Sequence, residues 1–273
     1  IYTLSLHDAL PIYELVGNTN TEVGAFEGDE LICSWRLMTK TPRTSDEFAV
    51  AFRGFFQTDD LNVQDVTAIV VASVVPNIMH SMTNGIKKVF QMTPMTVGPG
   101  IKTGMPILTS DPTEVGADRI VDAVAAYQLY GGPVLVLDFG TATTYDYVNR
   151  DGALCAGVMT PGIQISADAL FRNAAQLPSI AIQKPRSILA KDTVTNMQAG
   201  LVYGYIGQVS HIIGQMREET GEPDMKVVAT GGYGRMFLQE VDGIDIFDPK
   251  LTLKGLKIIH DKNADARRKH RLG

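Results

Sequence analysis

The stretch "LDFGTATTYD" sets an acid, a glycine and three threonines where a strand would end. Asp138 follows the apolar run Val134 to Leu137, so its carboxylate would stand at the lip of a sheet, with Phe139 beyond it. Gly140 lets backbone approach a ligand closely. Thr141, Thr143 and Thr144 offer hydroxyl and N–H donors that do not repel phosphate oxygens. An acid at that point suits a cation held beside phosphates. The same residue types also fit a plain Asp–Gly hairpin on a half-buried strand.

Three further stretches carry chemistry-bearing types. "EVGADRIV" puts Gly116, Ala117, Asp118 and Arg119 at a helix start. Asp118 there is either a capping residue or the acceptor of a proton from an attacking hydroxyl, and Arg119 is a planar fork for a carboxylate or phosphate. Helix-terminal N–H groups would keep Asp118 ionised, so its position would matter more than its basicity. "GNTNTE", Gly17 to Glu22, is a tight polar turn able to lay N–H groups and hydroxyls on a phosphate. Such turns usually follow an acid that orients a metal. Here Leu15 holds that position, and Glu14 beside it points to the other strand face. "VVATGGYG" ends an apolar run in Gly231, Gly232 and Gly234, which suits the flat face of a base or ribose, or plain strand punctuation. Thr193 in "KDTVTN" reads as the cap of the helix that follows.

The elements that must position these residues are legible. Residues 24–39 read as two strands about Gly28-Asp29. Thr44 and Glu47 have capping-box spacing, with Phe48, Phe52 and Phe55 on one helical face as core. The β-branched run 67–76 is a strand covered on both faces, with a helix near 77–90. The Gly/Pro-rich stretch 96–107 is a junction. A helix over 114–132 turns Ile120, Val121, Val124 and Tyr127 inward and stops at Gly131. Strand, turn and strand follow over 133–148, then helices over 161–177 and 195–219, a strand over 225–232 and a short closing helix over 251–259. The hairpins 15–23 and 137–148 share one grammar, which suggests a duplicated domain.

Composition narrows the classes. A net charge of −6 and a pI near 5.4 argue against nucleic acid as a partner, and no apolar run spans a bilayer. Two cysteines cannot make a disulfide framework, which points to the reduced cytoplasm. Five scattered histidines lack metal-ligand spacing. Residues 1–12, "IYTLSLHDALPI", resemble a translated sequencing-adapter read and show no strand or helix periodicity. We expect 1–12 to be non-native, 13–107 an N-terminal α/β domain, 108–262 a C-terminal α/β domain and 263–273 a frayed basic tail.

Taken in order, "GNTNTEVGAF", "SWRL", "ASVVP", "GPGIKTG", "EVGADRIVDAVAAY", "VLDFGTATTYDYV", "MTPGIQIS", "MQAGLVYGYIGQV", "VVATGG" and "IDIFDPKLTLKGL" resemble the type III pantothenate kinases, from about Val16 to Ile259. "GADR" followed at this interval by "DFGTATT" is the specific part. The resemblance implies the α/β fold shared by actin, heat-shock chaperones and sugar kinases, two duplicated ribonuclease H-like domains with a nucleotide cleft between them. It implies ATP-dependent phosphorylation of pantothenate to 4′-phosphopantothenate, the first step of coenzyme A synthesis, by a cytoplasmic homodimer. By that likeness Asp118 is similar to the family's general base, and Gly116, Ala117, Asp118, Arg119 and Thr193 to its pantothenate contacts. Gly17, Asn18, Thr19, Asn20, Thr21 and Glu22 resemble its first phosphate motif, and Thr141 an ATP contact. Asp138 resembles the ligand of a monovalent cation, K+ or NH4+, with Mg2+ accompanying the ATP. Two positions depart. Leu15 stands where the family has an aspartate, and Thr109 where some relatives carry a tyrosine. Leu15 keeps a second expectation open, a non-catalytic nucleotide- or ligand-binding relative. A kinase of another small hydroxy acid or sugar is disfavoured by "GADR".

Overall fold

Alternating β-branched runs and capped amphipathic segments fold into two sheets with helices against them. The computed structural model describes residues 10–98 and 101–272, with 266–272 described by backbone alone. In chain order the elements are β1 (Leu10–Val16), β2 (Asn20–Glu27), β3 (Glu30–Met38), α1 (Ser45–Thr58), β4 (Val66–Ser73), α2 (Pro76–Phe90), β5 (Met95–Val97) and α3 (Ala117–Tyr130). There follow β6 (Val134–Phe139), β7 (Ala142–Val148), β8 (Leu154–Pro161), α4 (Ile163–Asn173), α5 (Thr193–Thr220), β9 (Lys226–Thr230), α6 (Gly234–Phe237), β10 (Ile246–Phe247) and α7 (Leu251–Leu272).

The chain divides into two compact units. Unit 1 holds the residues up to Gly104, Asp111–Ala125 and Thr252–Gly273, and unit 2 holds Met105–Ser110 and Ala126–Leu251. The units are therefore interleaved in sequence, where the sequence reading draws one cut at 107. In unit 1 the strand order is β3-β2-β1-β4-β5, and in unit 2 it is β10-β9-β6-β7-β8. In each, an antiparallel three-strand meander comes first and two parallel strands then add beside its first strand. The same winding twice is what the paired hairpins suggested.

Local signals hold at most element ends. Gly28 turns β2 into β3 at φ +58. Thr44 and Glu47 close the capping box of α1. Gly131, at φ +78, ends α3 with its N–H on Tyr127 O at 3.0 Å.

Packing changes several expectations. Phe48, Phe52 and Phe56 enter the unit 1 core beside Ile12, Val16, Val71, Met82 and Ile86. Phe55 instead stacks on Trp35 at 5.3 Å, because a 3.6-residue turn carries Phe56 more nearly above Phe52. α3 buries every residue from Val121 to Ala126, Asp122 included, and leaves Ile120 and Tyr127 half-buried. Asp192, not Thr193, caps α5, its Oδ1 accepting from Thr195 N at 3.0 Å. α7 is one helix through Leu272, so the expected short helix and frayed tail are continuous. Polarity alone does not stop a helix that meets no Gly or Pro after Gly255, and Lys257 pairs with Asp261 one turn on at 2.7 Å.

The most consequential correction concerns β1. The expected lack of strand character over residues 1–12 does not hold for Leu10 to Ile12. Leu10, Pro11 and Ile12 begin a strand that runs in parallel register with β4 at the middle of its sheet. Residues 1–9 lie outside the described residues. Within β1, Ile12, Glu14 and Val16 alternate onto one face, and Ile12 and Val16 belong to the core beneath α1 and α2. Glu14 is 1% exposed and its Oε1 has no hydrogen-bond partner. Its ladder partners are Val23 and Val71. The charged residues of α1 and α2 described on either side, including Asp46, Glu47, Arg53, Lys87 and Lys88, are exposed, and β4 carries none. Desolvation raises the Glu14 pKa to about 8.

The sign follows directly. The unfolded chain releases this proton near 4.5 and the folded chain near 8, so stability falls as pH rises across that window and levels off above it. The span amounts to on the order of 5 kcal/mol. Glu14→Leu is expected to raise the thermal midpoint near pH 8 and to flatten the melting-temperature profile between those values. An unchanged slope in the variant would refute this account.

Candidate functional site

Every candidate residue but Thr193 hangs from the carboxyl end of a central strand or from a turn packed beside it. In unit 1 the chain leaves β1 at Val16, and Gly17 N donates to Asn20 O at 3.1 Å, closing the turn. Asn18, Thr19 and Asn20 are exposed. The turn is held from β3's end, where Thr39 N donates to Thr19 O at 2.9 Å and the buried Thr21 and Thr39 hydroxyls meet at 3.0 Å. Thr21 is therefore structural, while Glu22 is half-buried with Arg36 3.7 Å away. Asn18, Thr19 and Asn20 remain facing solvent, as a phosphate turn requires.

Asp118 sits beside that strand end. Val74 N donates to Val16 O at 3.0 Å, and a Cβ placed on Gly116 would lie 3.8 Å from the Val74 side chain. The same Cβ would lie 2.5 Å from Asp118 Oδ1, so only glycine leaves this carboxylate its place. Arg119 N donates to Asp118 Oδ1 at 2.8 Å. Burial raises the Asp118 pKa above the ordinary aspartate value, outweighing the Arg119 amide and the Arg119 charge, which lower it. The lowering expected from helix N–H groups is present in the Arg119 amide, but burial exceeds it. Burial wins because one well-placed amide offsets only part of the lost hydration.

In unit 2, Asp138 lies in register with Thr144 on one side and Thr230 on the other. A Cβ on Gly140 would be 3.0 Å from Asp138 Oδ2. Gly231, at φ +87, packs so closely that a Cβ would run into Asp138 Oδ1 and come within 2.6 Å of Phe139 N. The carboxylate is thus walled by backbone on two sides. Thr141 is half-buried at the tip of the turn. Thr143 is wholly buried and bonded to the Tyr205 hydroxyl, and Thr144 is buried too, so neither is a donor to a ligand. Thr193 is exposed on the first turn of α5.

Leu15 and Asp138 are counterparts. Each is the last residue but one of its central strand, half-buried, two residues before a glycine turn, and paired to a parallel strand on one side and an antiparallel strand on the other. Glu14 lies on the opposite face and does not substitute for an acid at 15. Sequence reasoning missed Tyr205; its one signal is a hydroxyl-bearing ring at the apolar spacing Val202, Tyr205, Val209.

Among the described residues no three His, Cys, Asp or Glu side chains gather as a metal cage. A cation at Asp138 would take one carboxylate and complete its shell from carbonyls, water and phosphate oxygens, a donor set that suits hard cations.

Comparison with known proteins gives a family. A family model described as type III pantothenate kinase matches residues 15–215. A type III pantothenate kinase from Agathobacter rectalis is 54% identical over 247 residues, which is 90% of this chain and 95% of that one. Among solved structures, a Baf family protein from Campylobacter jejuni has a TM-score of 0.58 at 18% identity, over 93% of this chain and 99% of its own. MreB 5 of Spiroplasma citri, solved with AMPPNP, has a TM-score of 0.56 at 9% identity, over 96% and 99%. The two structural likenesses are of fold.

The close Gly116 contact carries a test. Gly116→Ala is expected to lower turnover by at least about 10-fold by displacing Asp118, with a melting shift of a few degrees at most. Steady-state rates beside a melting curve check it, and wild-type turnover would overturn it.

Proposed function

The chain belongs to the type III pantothenate kinase family, and we propose how its residues divide the ATP-dependent phosphorylation of pantothenate. Asp118 takes the proton from pantothenate's primary hydroxyl as that oxygen attacks the terminal phosphate. The observation that carries this role is the Asp118 environment: a carboxylate held by the Arg119 amide at 2.8 Å, with burial raising its proton affinity. Phosphoryl transfer asks little covalent work of the protein, so a positioned acceptor and neutralised phosphate charge are what it must supply.

Arg119 receives pantothenate's carboxylate in its planar fork, with Gly116 and Ala117 as the backbone beside it and Thr193 as a further hydroxyl contact. On the nucleotide side, the turn from Gly17 to Glu22 and the Thr141 turn meet phosphate oxygens, the exposed Asn18, Thr19 and Asn20 being the available donors. Asp138 would hold a monovalent cation, K+ or NH4+, and Mg2+ would travel with ATP. When bound, these cations neutralise charge on the phosphates.

The active form in this reading is a cytoplasmic homodimer that opens coenzyme A synthesis. Support for self-association is a number of exposed apolar side chains on unit 2, Phe171, Ile188, Leu189 and Val194 among them, of which Ile188 also lines, with Ala199 and Tyr203, a cavity of about 460 Å³. Support for the compartment is a pair of free cysteines, Cys33 and Cys155.

Pantothenate-dependent ADP release with ATP, Mg2+ and K+ tests the assignments. Asp118→Asn is expected to lower kcat by about 10²–10⁴-fold with the fold retained. Arg119→Leu is expected to raise the KM for pantothenate far more than that for ATP. Leu15→Asp, which restores an acid at the unit 1 counterpart of Asp138, is expected to raise turnover. Full activity in Asp118→Asn would remove the assigned base.

A further inference from the structure

The Asp138–Thr141 turn is backed by a side chain that none of the sequence motifs singles out. Tyr205 projects from α5 into the unit 2 core, 7% exposed, its ring 4.9 Å from that of Phe237 and 6.2 Å from that of Phe139. Packing of that kind needs only a phenyl ring. A hydroxyl among Phe139, Phe237, Val202 and Val209 is unfavourable unless it is bonded.

Its bonds run to the back of the turn. The hydroxyl is bonded to Thr143 Oγ1, wholly buried on β7 directly across the ladder from Phe139. Burial pushes the Tyr205 pKa up to about 12, the Thr143 hydroxyl opposes that rise, the Asp138 carboxylate adds to it, and the Ile163 backbone opposes it again. Tyr205 thus feels the turn's acid, its return strand and the first residue of α4 at once. α4 in turn grips the turn itself: its N-cap, Gly162, donates its N–H to Thr141 O at 3.1 Å.

We propose that Tyr205 is a positioning residue for phosphoryl-donor binding, its hydroxyl anchoring β7 through Thr143 so that the Asp138–Thr141 turn is presented to the nucleotide phosphates in one geometry. This rests on the reading of Thr141 as an ATP contact. The hydroxyl acts on the turn through Thr143, while Gly162 holds the Thr141 carbonyl from the side of α4.

The test compares Tyr205→Phe, Thr143→Val and the double variant with the wild-type chain. Affinity for AMPPNP is measured by calorimetry, KM for ATP and for pantothenate by ADP release, and stability by melting. In Tyr205→Phe, AMPPNP affinity is expected to fall about 10-fold and the KM for ATP to rise to match. The KM for pantothenate and the melting temperature should stay near wild type. Thr143→Val should lower AMPPNP affinity likewise, with a drop in melting temperature because it leaves the Tyr205 hydroxyl buried without that bond, and the double variant should be little worse in affinity than either single one, because both remove one bond. Should Tyr205→Phe fold poorly, Thr143→Val carries the comparison. Unchanged AMPPNP affinity in the folded variants, or equal losses for both substrates, overturns the proposal while leaving the Thr141 assignment intact. A wild-type chain that binds no AMPPNP overturns both.

Discussion

A central strand that is antiparallel to one neighbour and parallel to the other must leave its sheet at an edge where a hairpin folds back on one side and a crossover begins on the other. β6 does so between β7 and β9, and β1 does so between β2 and β4. At that edge the last side chains of the strand, the hairpin backbone and the turn after the parallel neighbour converge. Asp138 with Gly140 and Gly231 is one such convergence, and Leu15 with Gly17 and Val74 is the other. α3 begins at Ala117, beside Gly116 and Val74, so Asp118 joins the unit 1 edge without belonging to a strand. The rest of each unit holds these edges still.

Three acids illustrate how strongly that placement decides chemistry. Glu14 faces an apolar core without a partner and keeps its proton past neutrality. Asp118 is largely buried but bonded to an amide, and burial raises its pKa while the amide and the Arg119 charge oppose the rise. Asp138 is half-buried between two glycine backbones, where a side chain at either glycine would intrude on its carboxylate. The residue type is nearly constant across the three; burial and one or two hydrogen-bond donors separate them.

The same edge explains why glycine and buried hydroxyl groups recur behind the reacting surface. Gly116 and Gly231 permit contacts that no side chain would. Tyr205 and Thr143 put a hydrogen bond where a core would otherwise be purely apolar. A site that must hold a mobile triphosphate needs its backbone donors preset, since each degree of freedom left in the turn weakens binding.

Much of this was determined by sequence. The capping box at Thr44 and Glu47, the turn at Gly28, the stop at Gly131 and the two glycine hairpins are short-range signals that read the same in the fold, and the β-branched run 67–76 is a strand over Val66–Ser73. The family was legible as well, and its model matches residues 15–215. Only the tertiary structure decided that Leu10 to Ile12 belong to a central strand, that Phe56 rather than Phe55 enters the core, that α7 continues to Leu272, and that Thr143 serves Tyr205 instead of a ligand. The physical reason is common to all four. Burial and partner choice are set by residues far apart in the chain, and local periodicity carries no record of them.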